Sequence, residues 1–455
     1  MSKKTGYSTL YRYIDAHTDE FIEGLKDLLA KPSISTLGIG LNETAEYLKG
    51  VMEQVGVKTT VVATRGAPVV YGELITDPSA PTVLVYGHYD VQPPEPLEAW
   101  ITPPFQPTIR DNKIYARGAG DNKGQLYAQL MGLKSLLATS LPLAVNVKFV
   151  FEGEEESGSP HLEEFIIDNK EKLKADFAYT SDGPVHASGR PVVQLGARGI
   201  LYLELIAKGA SRDLHSGNWG GPIVNPALRL IDLLMTMREP NSGKVLIEGF
   251  YDNIRNPTEE EKKILESLPL DREMVARDLG LSPSQIPSAL EFYTKLMFQP
   301  TFNLCGFLSG YTGKGMKTII PSTAVVKLDM RLVADQDPND IFAKVQRHIK
   351  KYAPDVEVKR LGQMKPSKTP VENEYVRVVY DAVEQATGIK PLIYPSLGGS
   401  LPDYVFTGIL GIPSIMVPYA NIDESNHAPN ENLSIPFFIR GIKCFATLLA
   451  MLSRK

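Results

Sequence analysis

The stretch TVLVYGHYD, residues 82–90, joins a predicted buried strand to two side chains that can form part of a metal site. Residues 82–87 are a short apolar run bounded by loop residues, which is typical of a buried β-strand. His88 and Asp90 lie two positions apart, so an extended backbone turns both side chains to the same side. An imidazole oriented by a carboxylate is the usual arrangement around a metal ion. By itself, however, His-x-Asp is a weak signal that favours an ordinary loop.

Further predicted strands alternate with helical patterns on both sides of this stretch. Residues 145–151 and 177–180 are two more apolar runs, each at the start of a strand–loop–helix pattern. Such alternation predicts an α/β fold with helices on both faces of the sheet. From about residue 198 the strands become longer, which indicates an inserted α+β domain over residues 198–363. Residues 1–197 and 364–455 then form the first domain.

Acidic residues and a second histidine occur near the ends of these strands or in glycine-rich loops. They are Asp121 in a glycine-rich run, Glu155 and Glu156 in an acidic run, Asp182 after the third strand, and His427 near the C-terminus. Ligands of open α/β sheets bind at the carboxyl ends of the strands. The three consecutive acids at residues 154–156 would also repel one another unless a cation or a proton lay between them.

Each of these signals has an ordinary alternative when it is taken alone. Asp121 could be a helix N-cap, and the acidic run could be a solvated turn. A phosphate loop is disfavoured, since no Gly-Lys-Ser/Thr sequence follows the glycines. Together, two histidines and three acids suit a pair of divalent cations. Four positive charges would face the carboxylates of Asp121, Glu156 and Asp182, and a bound hydroxide would neutralise the remainder.

The composition excludes several classes of protein. With 48 Lys and Arg against 53 Asp and Glu, the net charge of −5 argues against a nucleic-acid binder. Cys305 and Cys444 lie far apart and form no Cys-x-x-Cys motif, so neither a disulfide framework nor a thiolate zinc site is indicated. We expect a cytoplasmic protein with reduced thiols. We also expect no secretory signal, and no segment with the ~18 apolar residues that cross a membrane.

The motifs at residues 87–91, 118–124 and 155–159, in this order and spacing, resemble those of the M20 metallopeptidase family. That family includes carnosinase-like cytosolic dipeptidases, carboxypeptidase G and succinyl-diaminopimelate desuccinylase, and the resemblance covers nearly the whole chain. Residues 213–217, Asp-Leu-His-Ser-Gly, are similar to a signature of its dipeptidase-like branch. The resemblance implies a zinc-exopeptidase-like catalytic domain with a mixed sheet. It also implies that the inserted domain serves as a lid and as a dimerisation domain.

The same resemblance implies a site for two divalent metal ions. Asp121 would bridge the ions, His88 and Asp182 would complete the ligands of one, and Glu156 and His427 those of the other. Histidine and carboxylate ligands without thiolate fit Zn²⁺, with Mn²⁺ and Co²⁺ as alternatives.

Further residues of the site also follow from the resemblance. Asp90 would orient His88, and Glu155 would be the general base. The peptide bond between Asp121 and Asn122 would be cis. His215 would reach the active site of the partner subunit in a homodimer and stabilise the oxyanion.

The substrate contacts that the resemblance implies lie in or near the inserted domain. Arg331 would bind a substrate carboxylate, and Thr318 and Ser400 would be further contacts. The chain departs from its cytosolic dipeptidase relatives just before Gly-Gly-Ser, where they commonly carry Arg-Glu and this sequence has Ser396 and Leu397. Any recognition of charge by that pair is absent here, which puts a strict dipeptide specificity in doubt.

The predicted function is metal-dependent hydrolysis of amide bonds in dipeptides or short peptides that have a free C-terminal carboxylate. An N-acyl amino-acid amidohydrolase of the same fold is the alternative. A non-catalytic binding protein is disfavoured, since no metal ligand is missing and Glu155 is present. The expected partners are a small peptide or acylated amino acid and a second copy of the chain, without nucleic acid or membrane.

Overall fold

The computed structural model describes residues 7–453 of the chain. These residues form two compact units. The first consists of the described parts of Met1–Gly196, Lys368–Pro395 and Val405–Lys455, and the second of Ala197–Ser367 and Ser396–Tyr404. The segment Ser396–Tyr404 thus belongs to the second unit, whereas the domain boundaries drawn from the sequence place it with residues 364–455.

The elements are numbered along the whole chain. The described strands are β1 Lys58–Val62, β2 Val69–Leu74, β3 Thr82–His88, β4 Thr108–Arg110, β5 Lys113–Tyr115, β6 Asn146–Glu152, β7 Phe177–Thr180, β8 Val192–Gln194, β9 Gly199–Lys208, β10 Leu214–His215, β11 Asn303–Ser309, β12 Ile319–Ile320, β13 Thr323–Leu332, β14 Glu357–Met364, β15 Leu392–Tyr394, β16 Ser414–Met416 and β17 Asn432–Ser434. The described α-helices are α1 Ser8–Ala16, α2 Thr18–Leu29, α3 Leu41–Val55, α4 Lys123–Leu137, α5 Leu162–Asp168, α6 Ser216–Trp219, α7 Pro226–Met237, α8 Glu259–Ser267, α9 Arg272–Leu279, α10 Ala289–Phe298, α11 Pro338–Tyr352, α12 Glu374–Thr387 and α13 Ile435–Leu452.

The first unit is built on a mixed sheet with the strand order β1-β2-β6-β3-β7-β16-β8-β15. Its central strands β6, β3, β7 and β16 pair in parallel, whereas β1 and β2 pair antiparallel. Strands β3 and β7 are buried along almost their whole length. A parallel strand that is covered on both faces needs such a continuous apolar run, which explains the composition of residues 82–87.

Alternate residues of β3 pack on opposite faces of the sheet. Val83 and Val85 belong to the core that helices α1 to α4, α12 and α13 form on one face. The ring of Tyr86 instead meets Phe406 with a centroid distance of 5.3 Å. Phe406 lies in a π-helical segment, Val405–Leu410, that contacts α5. Helices therefore cover both faces of a mixed sheet, as the sequence predicts.

The last helix, α13, bears on the expectation that no segment crosses a membrane. By length and composition it could cross a membrane, with a mean hydropathy of 1.7 over 18 residues. However, 61% of that window is buried inside the protein, where α13 packs against α4. At this contact a Cβ on Gly132 would lie 3.0 Å from the carbonyl oxygen of Ile442. The missing side chain lets the two helices approach closely, and α13 has the burial of a core helix.

The second unit contains an antiparallel sheet with the order β11-β13-β9-β14. Buried and partly exposed residues alternate along β9, and helices α7 and α11 pack on its buried face over a separate apolar core. A short strand pair, β10 and β12, carries His215. Helices α8 to α10 lie between α7 and β11 in the chain. An antiparallel sheet with helices on one face is the α+β architecture that is predicted for the inserted domain.

Candidate metal centre

Three parallel strands place polar side chains at one edge of the first unit's sheet. His88 is the last residue of β3 and lies opposite Glu152, the last residue of β6. On the other side of β3, β7 ends at Thr180, two residues before Asp182. Because the carboxyl ends of parallel strands meet at the same edge, the loops that follow can bring distant residues together.

Asp121 presents one carboxylate oxygen to each of two groups of side chains. Its Oδ1 lies 3.1 Å from Nε2 of His88, and the same nitrogen is 3.7 Å from Oδ2 of Asp182. Its Oδ2 lies 3.1 Å from Nε2 of His427, which is also 3.1 Å from Oε2 of Glu156. The structure therefore brings the five predicted ligands into two groups that share Asp121.

The spacing of these atoms suits a pair of metal ions. Tetrahedral zinc with bonds of about 2.0–2.1 Å to nitrogen and oxygen separates its ligands by about 3.3 Å, and the contacts here span 3.1 to 3.7 Å. Nε2 of His88 is buried and makes no hydrogen bond of good geometry within residues 7–453. A buried imidazole nitrogen that faces two carboxylates is suited to bind a cation.

The concentration of acids changes the proton affinity of both groups. Hydrogen bonds with Asp121 and Glu156 raise the pKa of His427 to about 10. Burial raises the pKa of Asp121, but its close contacts with the imidazoles of His427 and His88 outweigh this effect and lower the pKa overall. Burial raises the pKa of Glu155 well above its ordinary value and also raises that of Glu156. The cluster therefore retains protons that divalent cations would displace on binding.

Asp90 connects the histidine ligand to the acidic turn. Its Oδ1 lies 3.4 Å from Nδ1 of His88 and accepts the backbone N–H of Glu155 at 3.2 Å, while its Oδ2 accepts the N–H of Glu156 at 3.0 Å. Gln92, which the sequence analysis missed, donates from Nε2 to Oε2 of Glu156 at 2.9 Å. Its position two residues beyond Asp90 was the available signal, because side chains of an extended segment repeat every second residue.

Glu431 is a second residue that the sequence analysis did not single out. It is fully buried, and it accepts hydrogen bonds from the backbone N–H groups of Gly118, Gly120 and Asp121. It also forms an ion pair of 2.9 Å with the buried Arg117. Burial raises the pKa of Glu431 to about 7, and Arg117 and the backbone donors act against that rise. All these neighbours are donors, so they bind the carboxylate form.

In the second unit, the hydrogen bonding of His215 fixes its tautomer. The backbone N–H of Gly217 donates to Nδ1 of the exposed His215 at 3.1 Å. Nδ1 is therefore the acceptor, and the ring proton lies on Nε2. The loop before it is held by Asp213, whose Oδ1 accepts from the backbone and the hydroxyl of Ser322 at 2.9 and 3.0 Å. His215 thus presents a hydrogen-bond donor at Nε2.

The structure also brings together two of the three predicted substrate contacts. Nη1 of Arg331, on β13, donates to Oγ of Ser400 at 2.9 Å, and Nε of Arg331 lies 3.5 Å from Asp329. Thr318 is exposed, and its carbonyl accepts the N–H of Ser216 at 3.1 Å. Arg331 is only partly buried, so its guanidinium has donors available to an anion.

The peptide bond between Asp121 and Asn122 is cis, which confirms the expectation from the sequence motifs.

Comparison with known proteins gives one consistent family. The model of Peptidase family M20/M25/M40 matches residues 84–451. The Beta-Ala-His dipeptidase of Rattus norvegicus is 29% identical, covering 98% of this chain and 95% of the relative. The Cys-Gly metallodipeptidase dug1 of Schizosaccharomyces pombe is 30% identical, covering 98% of each chain. A crystal structure of an M20 family metallo-carboxypeptidase from Sulfolobus solfataricus has a TM-score of 0.90 and 39% identity, covering 96% of this chain and 100% of the other. The chain therefore belongs to peptidase family M20/M25/M40 and is an enzyme of the metallopeptidase class.

Proposed function

We propose that this protein is a two-metal peptidase that hydrolyses dipeptides or short peptides with a free C-terminal carboxylate. The observation that carries the proposal is the sharing of Asp121 between two ligand groups, one through each carboxylate oxygen. Relatives named as dipeptidases and as a metallo-carboxypeptidase support the choice of substrate. Enzymes of both kinds release a residue that keeps its free carboxylate.

In this mechanism, the roles of the protein's residues follow from their contacts. Two bound cations would activate a water molecule and polarise the scissile carbonyl. Glu155 takes a proton from the water and passes it to the leaving nitrogen. Asp90 contacts both His88 and the backbone N–H of Glu155. It therefore fixes the position of a metal ligand, His88, relative to the base, Glu155. His215 donates from Nε2 to the developing oxyanion.

Arg331 and Ser400 supply the proposed carboxylate site. A guanidinium presents several donors in a planar fork that matches a carboxylate. Ser396 and Leu397 replace the Arg-Glu pair of the cytosolic dipeptidases, so the site lacks two charged groups at these positions. Together with the carboxypeptidase relative, this favours peptides longer than two residues among the accepted substrates.

A substrate panel tests the proposed function directly. Protein loaded with Zn²⁺, Mn²⁺ or Co²⁺ is assayed on a dipeptide, its C-terminal amide, a tripeptide and an N-acetyl amino acid. The dipeptide and the tripeptide should be cut much faster than the amide. Faster hydrolysis of the N-acetyl amino acid than of either peptide would instead identify an N-acyl amino-acid hydrolase.

Substitution of Arg331→Ala should raise KM for substrates with a free carboxylate. A hydrogen bond to a charged group contributes about 1.5–3 kcal/mol, which corresponds to a rise of roughly tenfold to a hundredfold. The amidated substrate should show little change, because it lacks the charge that the guanidinium binds. Arg360→Ala, which removes an exposed arginine from β14, is the matched control and should behave like the wild type. An equal effect of Arg331→Ala on both substrates would contradict the carboxylate role.

Zinc as the native metal and a cytoplasmic location belong to the same proposal. Nitrogen and oxygen ligands without thiolate support zinc, and Mn²⁺ or Co²⁺ could occupy the same donors. Cys305 and Cys444 are both free thiols, which supports a reducing compartment.

We also propose that the protein acts as a homodimer. Strand β11 lies at the edge of the second unit's sheet, and most of its residues are exposed. Leu304, Phe307 and Leu308 on this edge are exposed large apolar residues, as is Met235 on α7. An open strand edge with apolar side chains is a template for pairing with another chain, which supports a self-complementary interface.

If each active site borrows His215 from the partner subunit, two inactive variants should complement one another. His215→Ala and Glu155→Gln are mixed under conditions that exchange subunits. In a hybrid dimer one site has both Glu155 and His215, and the other site lacks both. Random mixing makes half of the dimers hybrid, so activity should recover to about a quarter of the wild-type value.

The control for this experiment is the same mixture held under conditions that prevent exchange, which should stay inactive. If His215 served its own subunit, every site in the hybrid would carry one lesion. An inactive mixture in which native mass spectrometry detects hybrid dimers would therefore refute the trans arrangement.

A further inference from the structure

The buried carboxylate of Glu431 is bound on both oxygens by the loop that carries Asp121. Its Oε1 accepts the N–H groups of Gly120 and Asp121, each at 3.0 Å. Its Oε2 accepts the N–H of Gly118 and a hydrogen from Nη1 of Arg117, each at 2.9 Å. Three N–H groups of one loop, those of Gly118, Gly120 and Asp121, thus converge on a single side chain, together with a buried guanidinium. This arrangement fixes the backbone of Asp121, the residue that is proposed to bridge the two metals.

Arg117 extends the same network to two other loops. Its Nη1 also lies 3.3 Å from the carbonyl oxygen of Ala428, and its Nη2 donates to the carbonyl of Pro93 at 3.1 Å. Ala428 directly follows His427, and Pro93 directly follows Gln92, which donates to Glu156. Arg117 therefore contacts the chain next to one metal ligand and next to the residue that orients another.

The loop around His427 needs such external contacts. His427 has a φ of 55°, and Ser425 and Asn430 have φ values of 56° and 63°. Non-glycine residues seldom adopt this left-handed region, and they persist there only where surrounding contacts hold them. The contacts of Arg117 with Ala428 and Glu431 flank His427 on its C-terminal side.

We propose that Arg117 and Glu431 are positioning residues that jointly set the bridging Asp121 and the ligand His427. Glu431 acts through the backbone of residues 118–121, and Arg117 holds the carboxylate of Glu431 by an ion pair and contacts the chain beside His427. The inference rests on the proposed two-metal function. In the low-dielectric interior, removing one partner leaves the other charge buried without compensation, and the ligand loops then shift.

Glu431→Gln is the direct test, with metal affinity as the readout. The amide keeps the shape of the side chain but directs an NH₂ group at Gly118 and Arg117, which are both donors. We expect the affinity for both metals to fall in parallel by about 10–100-fold, the usual effect of residues that orient metal ligands. Both metals should weaken because Asp121 belongs to both ligand groups. Zn²⁺ affinity is measured by competition with a chromophoric chelator, and the Co²⁺ absorption spectrum reports the ligand geometry.

Glu164→Gln is the matched control, because Glu164 also forms an ion pair with an arginine, Arg65, but on the surface of the same unit. It should leave both the affinities and the Co²⁺ spectrum unchanged. At saturating metal, Glu431→Gln should regain turnover with little change in KM, which a general loss of folded protein would not produce. A folded Glu431→Gln variant with wild-type affinity for both metals would overturn the proposal.

Arg117→Lys keeps the test decisive if Glu431→Gln does not fold. Lysine can still pair with Glu431, but a single ammonium cannot also reach the carbonyls of Ala428 and Pro93. The metal held by His427 and Glu156 should therefore weaken more than the metal held by His88 and Asp182. Equal affinities in Arg117→Lys and the wild type would reject the positioning role. Failure of the wild type itself to bind two metals would instead reject the proposed two-metal function.

Discussion

Removal of bound metal should abolish peptide hydrolysis, and added Zn²⁺, Mn²⁺ or Co²⁺ should restore it. The reason lies in the composition of the site: two imidazoles and three carboxylates face one another across 3.1 to 3.7 Å. Without cations the imidazoles pair with the carboxylates, and no metal ion is present to polarise a carbonyl. Glu155 could still accept a proton, but water without a metal has a pKa near 15.7 and is a poor nucleophile.

The measurement combines exhaustive dialysis against a chelator, metal analysis of the protein and an assay before and after each metal is returned. Circular dichroism of the stripped protein is the control, since the apolar core of the first unit does not include the ligands and should keep its fold. Full activity in protein with no measurable metal would exclude the proposed mechanism.

The sequence could predict those residues of the site that lie close to the ends of strands. His88 and Asp182 follow apolar runs that are long enough to be recognised as strands, and parallel pairing then brings them to one edge. The family motifs added Asp121 and its cis peptide bond, because their spacing is specific. In these cases a local pattern determines both the element and the position of the side chain.

The residues of the site that the sequence analysis missed depend on contacts between segments that are distant in the chain. Glu431 binds the N–H of Asp121 across 310 positions in the chain, and its segment shows only an acid among polar residues. No periodicity reveals that three N–H groups will converge on it. Ser396–Tyr404 joins the second unit for a similar reason, because Arg198 donates to the carbonyl of Gly398 across 200 positions. Helix α13 is a different case. Its hydropathy alone would allow it to cross a membrane, but its burial in the folded chain makes it a core helix.

Glu155 and Glu156 are adjacent, but their substitution by glutamine should affect different steps. Oε2 of Glu156 lies 3.1 Å from His427 and accepts from Gln92, so Glu156→Gln should weaken one metal and recover partly in excess metal. Glu155 belongs to neither ligand group of residues 7–453, and burial keeps its proton affinity high. Glu155→Gln should therefore keep both metals and lose turnover by about 10²–10⁴-fold, the usual contribution of a general base.

Metal analysis and the pH profile together distinguish the two effects. A base must be deprotonated to act, so wild-type kcat/KM should fall as the pH drops through the pKa of Glu155. That fall should disappear from the residual activity of Glu155→Gln and persist in Glu156→Gln at saturating metal. Glu154→Gln is the matched control from the same acidic run, because Glu154 pairs with His161 at 2.8 Å and should affect neither property. Loss of metal from Glu155→Gln, with full occupancy in Glu156→Gln, would reverse the two assignments, because the ligand would then be the residue placed here as the base.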